Sequence, residues 1–324
     1  MAFYLQIERL MKKKLKIIVM GTTDFTVPTL NALVEAGHEV LTVVCQPDRP
    51  NARGKKVVYL PMKSRALELG LPVFQPEKIK DPEVVTYLKN LKPDVFVVAA
   101  YGQILSQEVL DIPPLGSLNI HGSLLPKYRG AAPIHHAIID GEEKTGVTIM
   151  KMDIGMDTGD MMCKVEVPIQ STDTVGILHD LLAEKGGEAL IGVLDDLANG
   201  TAVLEKQDEA LATYAAKVDR QTAVINWEKT SKQIRNHING NDPFPIATTT
   251  YQGNNVKCFE PTEVIYVGKE KSGTILHADT QKGLVIKTTD GAISIGKIQM
   301  AGKKKMNTKD YLRGNVVAVG EILG

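Results

Sequence analysis

Short apolar runs alternate with longer amphipathic stretches through the first two thirds of the chain. The runs, rich in Val and Ile, predict buried strands, and the stretches between them, with apolar residues every three or four positions, predict helices. The runs are LKIIVMG, EVLTVVCQ, PDVFVVAAYG, SLNIHGS and GVTIMKMD, and the helical stretches include DFTVPTLNALVEAGH, PMKSRALELG and DPEVVTYLKNLK. This alternation indicates an α/β fold in which helices cover a doubly wound, mostly parallel, Rossmann-like sheet.

The pattern changes after a long helical stretch over residues 174–200, within which Gly186 and Gly187 predict a kink or break. The segment that follows is typical of a linker over the surface. Beyond it, short strands separated by Gly turns predict a small, OB-like β-barrel. We therefore expect an extension at residues 1–11, an α/β domain at 12–205, a linker at 206–220 and a β-barrel domain at 221–324.

The charge of the chain is balanced overall but not along its length. Lys and Arg together number 38, as do Asp and Glu, so the net charge is zero. Residues 221–324 contain 14 basic and 9 acidic residues, a net charge of +5, and the preceding residues therefore carry −5. A basic barrel favours a polyanionic partner, although scattered, solvated lysines explain the charge equally well.

Several classes of protein are disfavoured by what the sequence lacks. The three cysteines, Cys45, Cys163 and Cys258, are too far apart for a disulfide framework or a zinc site and suit a reducing cytoplasm. No apolar run is long enough to span a membrane, and the first residues lack the order of a signal peptide. Motifs for dinucleotides, nucleoside triphosphates, zinc hydrolysis and a serine nucleophile are missing, and DIGMDTGD lacks the spacing of a calcium loop. We expect no metal.

Polar side chains lie at the ends of two neighbouring predicted strands. Asn119 and His121 close the run SLNIH and point to the same side, because side chains alternate along a strand. In open parallel sheets, ligands bind at the carboxyl ends of the strands. Asp157 follows the next predicted strand, GVTIMKMD, so we expect its loop at the same edge. The sequence therefore predicts an amide, a histidine and a carboxylate on one rim.

This trio suits the transfer of an acyl group to an amine without a covalent intermediate. Asn119 and His121 would donate hydrogen bonds to the carbonyl oxygen as it gains negative charge, and Asp157 would accept the proton of the amine or hold His121 charged. No serine or cysteine has a histidine at motif spacing, so no nucleophile is indicated. Structural roles stay open at this point: a hydrogen-bonded strand-end histidine, an asparagine that caps the next loop and an aspartate in a turn.

The segments SLNIHGSLLPKYRGAAPI and GVTIMKMDIGMDTGD together closely resemble the methionyl-tRNA formyltransferases, and more broadly the formyltransferases that use 10-formyltetrahydrofolate. The match extends through KIIVMGTTDF, QPDRPNARGKK, KPDVFVVAAYGQIL, INWEKTSKQIRNHI, NDPFP and AGKKKM, and covers nearly all of residues 14–313. The resemblance implies transfer of the formyl group of 10-formyltetrahydrofolate to the α-amino group of methionyl initiator tRNA, which supports translation initiation. It implies a cytoplasmic enzyme, and we expect a monomer.

The resemblance also implies which residues form the site. Asn119, His121 and Asp157 match the catalytic positions of the family. The residues that match segments around the folate are Ser123, Leu124, Leu125, Pro126, Tyr101, Gly102, Gln103, Ile104, Leu105, Met152, Asp153, Ile154 and Gly155. The basic residues expected to contact tRNA are Arg49, Arg53, Lys55, Lys56, Lys127, Arg129, Lys303, Lys304 and Lys305. For Arg129 an alternative is an ion pair that ties its loop to a nearby carboxylate.

Two other functions stay open. Formyl transfer to a small amine, such as a glycinamide nucleotide or an amino sugar, would need the trio but neither the basic segment RPNARGKK nor the β-barrel. A folate-binding or RNA-binding protein without catalysis would be expected to lack a member of the trio, and the sequence contains all three.

Overall fold

The computed structural model describes residues 13–49 and 59–324. The amino-terminal extension expected from the sequence lies outside the described residues. Three of the candidate tRNA contacts, Arg53, Lys55 and Lys56, also lie outside them.

The described chain divides into two compact units. The first comprises the described residues up to Gly130 together with Gly146–Val167 and His179–Tyr214. The second comprises Ala131–Thr145, Pro168–Leu178 and Ala215–Gly324. In the described part of the chain, no helix combines the length and the apolar composition needed to cross a membrane.

Strands and helices alternate up to residue 199. In chain order the elements as far as residue 215 are β1 (Lys16–Gly21), α1 (Val27–Glu35), β2 (Glu39–Val44), α2 (Pro61–Glu68), β3 (Val73–Phe74), α3 (Pro82–Asn90), β4 (Val95–Ala99), α4 (Gln107–Leu110), β5 (Ser117–His121), β6 (Arg129–Gly130), α5 (Pro133–Ile139), β7 (Lys144–Lys151), β8 (Met161–Pro168), α6 (Val175–Asn199) and β9 (Tyr214–Ala215). Short 3₁₀ turns occupy Asp24–Thr26 and Glu209–Leu211.

A twisted sheet of seven strands forms the centre of the first unit, in the order β3-β2-β1-β4-β5-β7-β8. β1 pairs in parallel with β2 and β4, and β4 pairs in parallel with β5. The Val and Ile side chains of β1 and β4 are buried, as expected for central parallel strands that are covered on both faces. The doubly wound, mostly parallel sheet predicted from the sequence is confirmed.

The strand that precedes Asp157 runs opposite to its neighbour. β7 pairs with β5 antiparallel, with Thr148 opposite His121, so β7 ends beside the beginning of β5. The expectation that the loop after β7 opens directly at the carboxyl end of β5 is therefore wrong. The loop of residues 152–160 instead folds back along β5, and this brings Asp157 to Asn119.

Helix α6 continues without interruption over Val175–Asn199, so the predicted break at its two adjacent glycines is wrong. Both glycines permit close packing. A β-carbon on Gly186 would lie 2.7 Å from Cγ2 of Ile120 in β5, and one on Gly187 would lie 3.1 Å from the backbone of Pro28 in α1. These positions let the helix approach the strand that carries Asn119 and the first helix more closely than any larger residue allows.

The second unit contains an antiparallel sheet. Its elements beyond residue 215 are α7 (Ser231–Asn239), β10 (Thr248–Tyr251), β11 (Asn254–Val264), β12 (Ile275–Asp279), β13 (Gly283–Lys287), β14 (Ala292–Met300), β15 (Met306–Asn307) and α8 (Thr308–Gly314). The strand order is β10-β11-β14-β13-β12, and β15 pairs with β14. The sheet curls into a half-barrel around a core that includes Trp227, Ile234 and Ile293. The small β domain predicted from the short strands and Gly turns is thereby confirmed.

We predict that replacing Gly186 by alanine destabilises the protein relative to the same replacement at Gly192. Both positions lie in α6 and gain roughly 1 kcal/mol of helix propensity. A β-carbon at Gly192 meets nothing within 4 Å, whereas at Gly186 it approaches Ile120 to 2.7 Å, and overpacking of this kind costs about 1–3 kcal/mol. The urea midpoint of Gly186→Ala is therefore expected below that of Gly192→Ala. Equal midpoints would contradict the close approach of helix and strand.

Candidate active site

The structure brings together the three side chains at the predicted rim. Nδ2 of Asn119 lies 3.5 Å from Oδ1 of Asp157, and Nδ1 of His121 lies 3.6 Å from Oδ2 of the same carboxylate. His121 is buried, whereas Asn119 and Asp157 are half-buried and accessible to solvent. One carboxylate thus bridges the amide and the imidazole at an accessible edge of the sheet.

The ring of His121 is oriented by the backbone. Its Nε2 lies 2.9 Å from the carbonyl oxygen of Tyr128. Because a carbonyl oxygen can only accept, Nε2 is the donor and carries the proton of the neutral ring. Nδ1, which faces Asp157, then has no proton and can bond to the carboxylate only when a second proton is present. Nδ1 and Oδ2 of the carboxylate thus face each other across 3.6 Å.

Asp157 has a strained backbone. Its φ angle is +54°, in the left-handed region, which costs a non-glycine residue about 1–2 kcal/mol. The amide of Gly130 donates to Oδ2 of Asp157 at 2.8 Å. Nε2 of Gln207 donates to the carbonyl oxygens of Asp157 and Gly159 at 2.7 and 2.8 Å. These hydrogen bonds fix both the carboxylate and the main chain of the loop.

Arg129 is enclosed by the protein, which corrects its prediction as a tRNA contact. Its side chain is fully buried. The guanidinium donates to Oε1 of Gln207 at 2.9 and 3.0 Å and to the two carboxylate oxygens of Glu209 at 2.7 and 2.8 Å. Hydrogen bonding between Arg129 and Glu209 raises the pKa of the guanidinium and lowers the pKa of the carboxyl group. Of the two roles that the sequence left open, the internal ion pair is the one observed.

The SLLP segment after β5 is split between structural and accessible side chains. Ser123 and Leu125 are buried, and both are bonded to Thr148: its hydroxyl donates to the Ser123 carbonyl at 2.7 Å and accepts from the Leu125 amide at 3.1 Å. Leu124 and Pro126 are half-buried. Within this segment, Leu124 and Pro126 can therefore offer side chains to a ligand, whereas Ser123 and Leu125 build the loop.

Two loops that lead to or from the trio expose large apolar side chains. Ile104, after β4, is 85% exposed, and Ile154 and Met156, in the loop that carries Asp157, are 65% and 64% exposed. The loop after β4 begins at the same edge as the end of β5, because the two strands are parallel neighbours. Exposed apolar surface beside a few polar groups marks a candidate contact surface for a ligand.

The remaining candidates in these loops contribute differently. Gly102, Asp153 and Gly155 are exposed, Gln103 and Met152 are half-buried, and Tyr101 and Leu105 are buried. Oε1 of Gln103 accepts from the amide of Ile79 at 2.8 Å, so this side chain holds its loop to the preceding segment. Asp153 accepts from the amide of Gly155 and the hydroxyl of Thr158 inside its own loop.

The other described basic candidates lie on the surface. Arg49 and Lys127 are exposed in the first unit. Lys303, Lys304 and Lys305 are exposed in the second unit, and Nζ of Lys305 lies 3.9 Å from the ring centroid of Phe259. Among the described residues, no three His, Cys, Asp or Glu side chains are grouped so that they could hold a metal ion.

Sequence reasoning missed the residues that support the trio. Thr148 was detectable in principle, because it lies opposite His121 once the antiparallel pairing is known. Nothing in the sequence pattern indicates Gln207 and Glu209. They lie about 50 residues beyond Asp157, in an exposed segment that has no hydrophobic pattern.

Two family models match the sequence. A model described as Formyl transferase matches residues 13–194, and one described as Formyl transferase, C-terminal domain, matches residues 217–316. With the α/β sheet, the half-barrel and the polar edge, these matches define an enzyme of the formyl transferase class.

Similar proteins narrow the class. The chain is 48% identical over 314 residues to the methionyl-tRNA formyltransferase of Alkaliphilus metalliredigens (96% of this chain, 98% of the relative). It is 43% identical over 309 residues to that of Bacillus subtilis (95% and 98%). The chain therefore belongs to the methionyl-tRNA formyltransferase family.

Solved structures with lower sequence identity share the fold. One is the N-formyltransferase from Helicobacter canadensis in complex with folinic acid and dTDP-3-aminofucose (TM-score 0.63, 20% identity, 90% of this chain, 100% of that chain). Another is HypX from Aquifex aeolicus in complex with tetrahydrofolic acid (TM-score 0.64, 19% identity, 93% of this chain). This chain spans about half of HypX, 47% of its length.

We predict that Cys45 and Cys258 do not react with iodoacetamide in the native protein. Burial raises the pKa of both thiols to about 12, so about one molecule in 10⁴ carries the thiolate at pH 8. Cys163 is half-buried and is expected to react before them. Peptide mass spectrometry after timed labelling measures this, and a urea-unfolded sample, in which all three react, is the control. Fast native labelling of Cys45 would show that the segment after β2 opens.

Proposed function

We propose that this enzyme transfers the formyl group of 10-formyltetrahydrofolate to the α-amino group of methionyl initiator tRNA, with Asn119, His121 and Asp157 as its catalytic residues. The observation that carries the assignment is the bridged trio, in which one carboxylate lies 3.5 Å from the amide and 3.6 Å from the imidazole. Membership of the methionyl-tRNA formyltransferase family supports the substrates.

Asn119 and His121 stabilise the charge that develops on the formyl oxygen. The attacking amine adds to the formyl carbon, so this oxygen becomes negative and needs donors that are already in place. Nδ2 of Asn119 is such a donor. Nδ1 of His121 becomes the second donor when the ring carries two protons, because Nε2 is bonded to the Tyr128 carbonyl.

Asp157 and His121 transfer the proton that moves from the attacking amine to the folate nitrogen. The amine attacks in its neutral form, and an N-terminal type of amine titrates near ~7.7–8.0, so a usable fraction is neutral at physiological pH. When the new C–N bond forms, the nitrogen loses a proton to Asp157, directly or through water. The pair then returns one proton to the folate nitrogen as the original C–N bond breaks. The reaction is balanced without a covalent enzyme intermediate.

The folate supplies the formyl carbon when it is bound, and we assign its ring to the apolar surface beside the trio. Ile104, Ile154 and Met156 offer exposed apolar area on two loops, and Leu124 and Pro126 offer half-buried side chains. The Ser123 and Leu125 side chains act indirectly, through the loop that they hold.

The tRNA is assigned to the exposed basic residues. Arg49 and Lys127 in the first unit and the lysines of residues 303–305 in the second are accessible cations. Arg53, Lys55 and Lys56 belong to the same proposal on the sequence alone. Phosphate contacts of this kind give affinity that depends strongly on salt.

We further propose that the enzyme acts as a cytoplasmic monomer. The proposed chemistry uses Asn119, His121 and Asp157 of one chain and does not require a residue of a second copy. Cys45, Cys163 and Cys258 are free thiols, which suits a reducing compartment.

We predict that Asn119→Ala lowers kcat by about 10²–10³-fold, the usual effect of removing one oxyanion donor, and that Asp157→Asn lowers it at least as much by removing the proton acceptor. Formylation of charged tRNA under saturating conditions measures both. Asp160→Asn, in the same loop, is the matched control and should keep near wild-type turnover. Wild-type turnover of Asn119→Ala would disprove the catalytic assignment.

We predict that salt separates the tRNA reaction from the reaction of a small amine. For about six phosphate contacts, binding weakens on the order of 10³-fold between about 50 and about 200 mM salt. The kcat/KM for Met-tRNA should therefore fall steeply over this range, whereas formylation of methionine methyl ester, which has the same amine and no phosphates, should change little. Faster formylation of a nucleotide-linked amino sugar than of Met-tRNA would instead favour a small-amine formyltransferase.

A further inference from the structure

Residues 207–213 lie in the segment that the sequence indicates as a linker. They contact the main chain of the two residues that flank the His121 ring in space. These are Asp157, whose carboxylate faces Nδ1, and Tyr128, whose carbonyl accepts from Nε2. Gln207 forms a hydrogen bond with Asp157, and Thr213 forms one with Tyr128.

Both contacted residues have left-handed backbone. The φ angle is +61° at Tyr128 and +54° at Asp157, a conformation that favours glycine and that neighbouring contacts must maintain in other residues. In each case the hydrogen bond from residues 207–213 acts on the strained residue itself. Nε2 of Gln207 donates to the Asp157 carbonyl at 2.7 Å, and the Tyr128 amide donates to the Thr213 hydroxyl at 2.9 Å.

The buried guanidinium of Arg129 connects the two contacts. Oε1 of Gln207 accepts from the guanidinium of Arg129, which also donates to Glu209. The amide of Arg129 donates to the carbonyl of Thr213 at 2.8 Å. The amide of Gln207 is therefore oriented by Arg129, with its oxygen toward the guanidinium and its nitrogen toward the loop of Asp157.

We infer that residues 207–213 are a positioning segment for the proposed catalytic pair: Gln207 sets Asp157 against Nδ1 of His121, and Thr213 sets the Tyr128 carbonyl against Nε2. The inference rests on the proposed roles of His121 and Asp157. Gln207 and Thr213 are positioning residues, because they act through the groups that they hold. Displacements of about 1 Å at a reacting group cost on the order of 10²-fold in rate.

Two nearly isosteric variants test the two contacts separately. Gln207→Glu keeps an acceptor for Arg129 but cannot donate to the Asp157 and Gly159 carbonyls. Thr213→Val removes the hydroxyl and keeps the backbone carbonyl that accepts from Arg129. Leu211→Ala is the matched control, since Leu211 lies in the same segment and is 60% exposed.

The readouts are the kcat and KM of formyl transfer and the ¹⁵N chemical shifts of the His121 ring at fixed pH. We expect Gln207→Glu to lower kcat about 10–100-fold, to change both KM values less than about twofold and to shift mainly Nδ1. Thr213→Val should also lower kcat and should shift mainly Nε2. Leu211→Ala should match the wild type in both.

The inference is overturned if both variants keep the kcat and the ring shifts of Leu211→Ala, or if KM rises while kcat is unchanged, which would make the segment a substrate-binding one. If Gln207→Glu does not fold, Thr213→Val decides alone. The ring shifts also separate this inference from the proposed function. A failure of the catalytic assignment would leave Asn119→Ala active but would not alter the response of His121 to Gln207 or Thr213.

Discussion

A buried guanidinium needs a partner for each nitrogen, and this requirement at Arg129 organises the polar interior beside the proposed site. All three nitrogens donate, two of them to Gln207 and two of them to Glu209. Once Gln207 is held in this way, its amide nitrogen points to the carbonyls of Asp157 and Gly159. The position of the Asp157 carboxylate at the accessible edge thus depends on the buried guanidinium of Arg129.

The chemistry of the edge follows from which groups are free to change protonation. The Tyr128 carbonyl occupies Nε2 of His121, so in the proposed mechanism Nδ1 is the ring nitrogen that faces Asp157 and the substrate. Asn119 reaches the same carboxylate from the other side. A single carboxylate therefore faces both donors. In the proposed mechanism this arrangement lets three residues serve addition, charge stabilisation and departure of the leaving group.

Much of the fold could be predicted because burial on both faces leaves a simple signal, the Val- and Ile-rich runs of the central strands. Asn119 and His121 could be paired because alternation along a strand is a local property. The direction of β7 is not local, since the same run of residues can pair in either direction. The expected route of the loop to the carboxyl end of β5 was therefore wrong, although Asp157 does lie beside Asn119 and His121. A break at Gly186 was predicted because the low helix propensity of glycine can be recognised in a sequence. The close approach to Ile120, which requires a glycine there, cannot be recognised in this way. Gln207 was missed because a single polar residue in an exposed segment forms no pattern.

The hydrogen bonds from residues 207–213 have a consequence for the modularity of the enzyme. The change of sequence pattern indicates a boundary at residue 205, and the two family models leave residues 195–216 unmatched between them. A fragment that ends at residue 205 would contain Asn119, His121 and Asp157 but not Gln207, Glu209 or Thr213. Recombination with another protein at that boundary would therefore transfer the chemical groups without the contacts that align them. The smallest exchangeable unit of this enzyme extends at least to Thr213, beyond the end of its sheet.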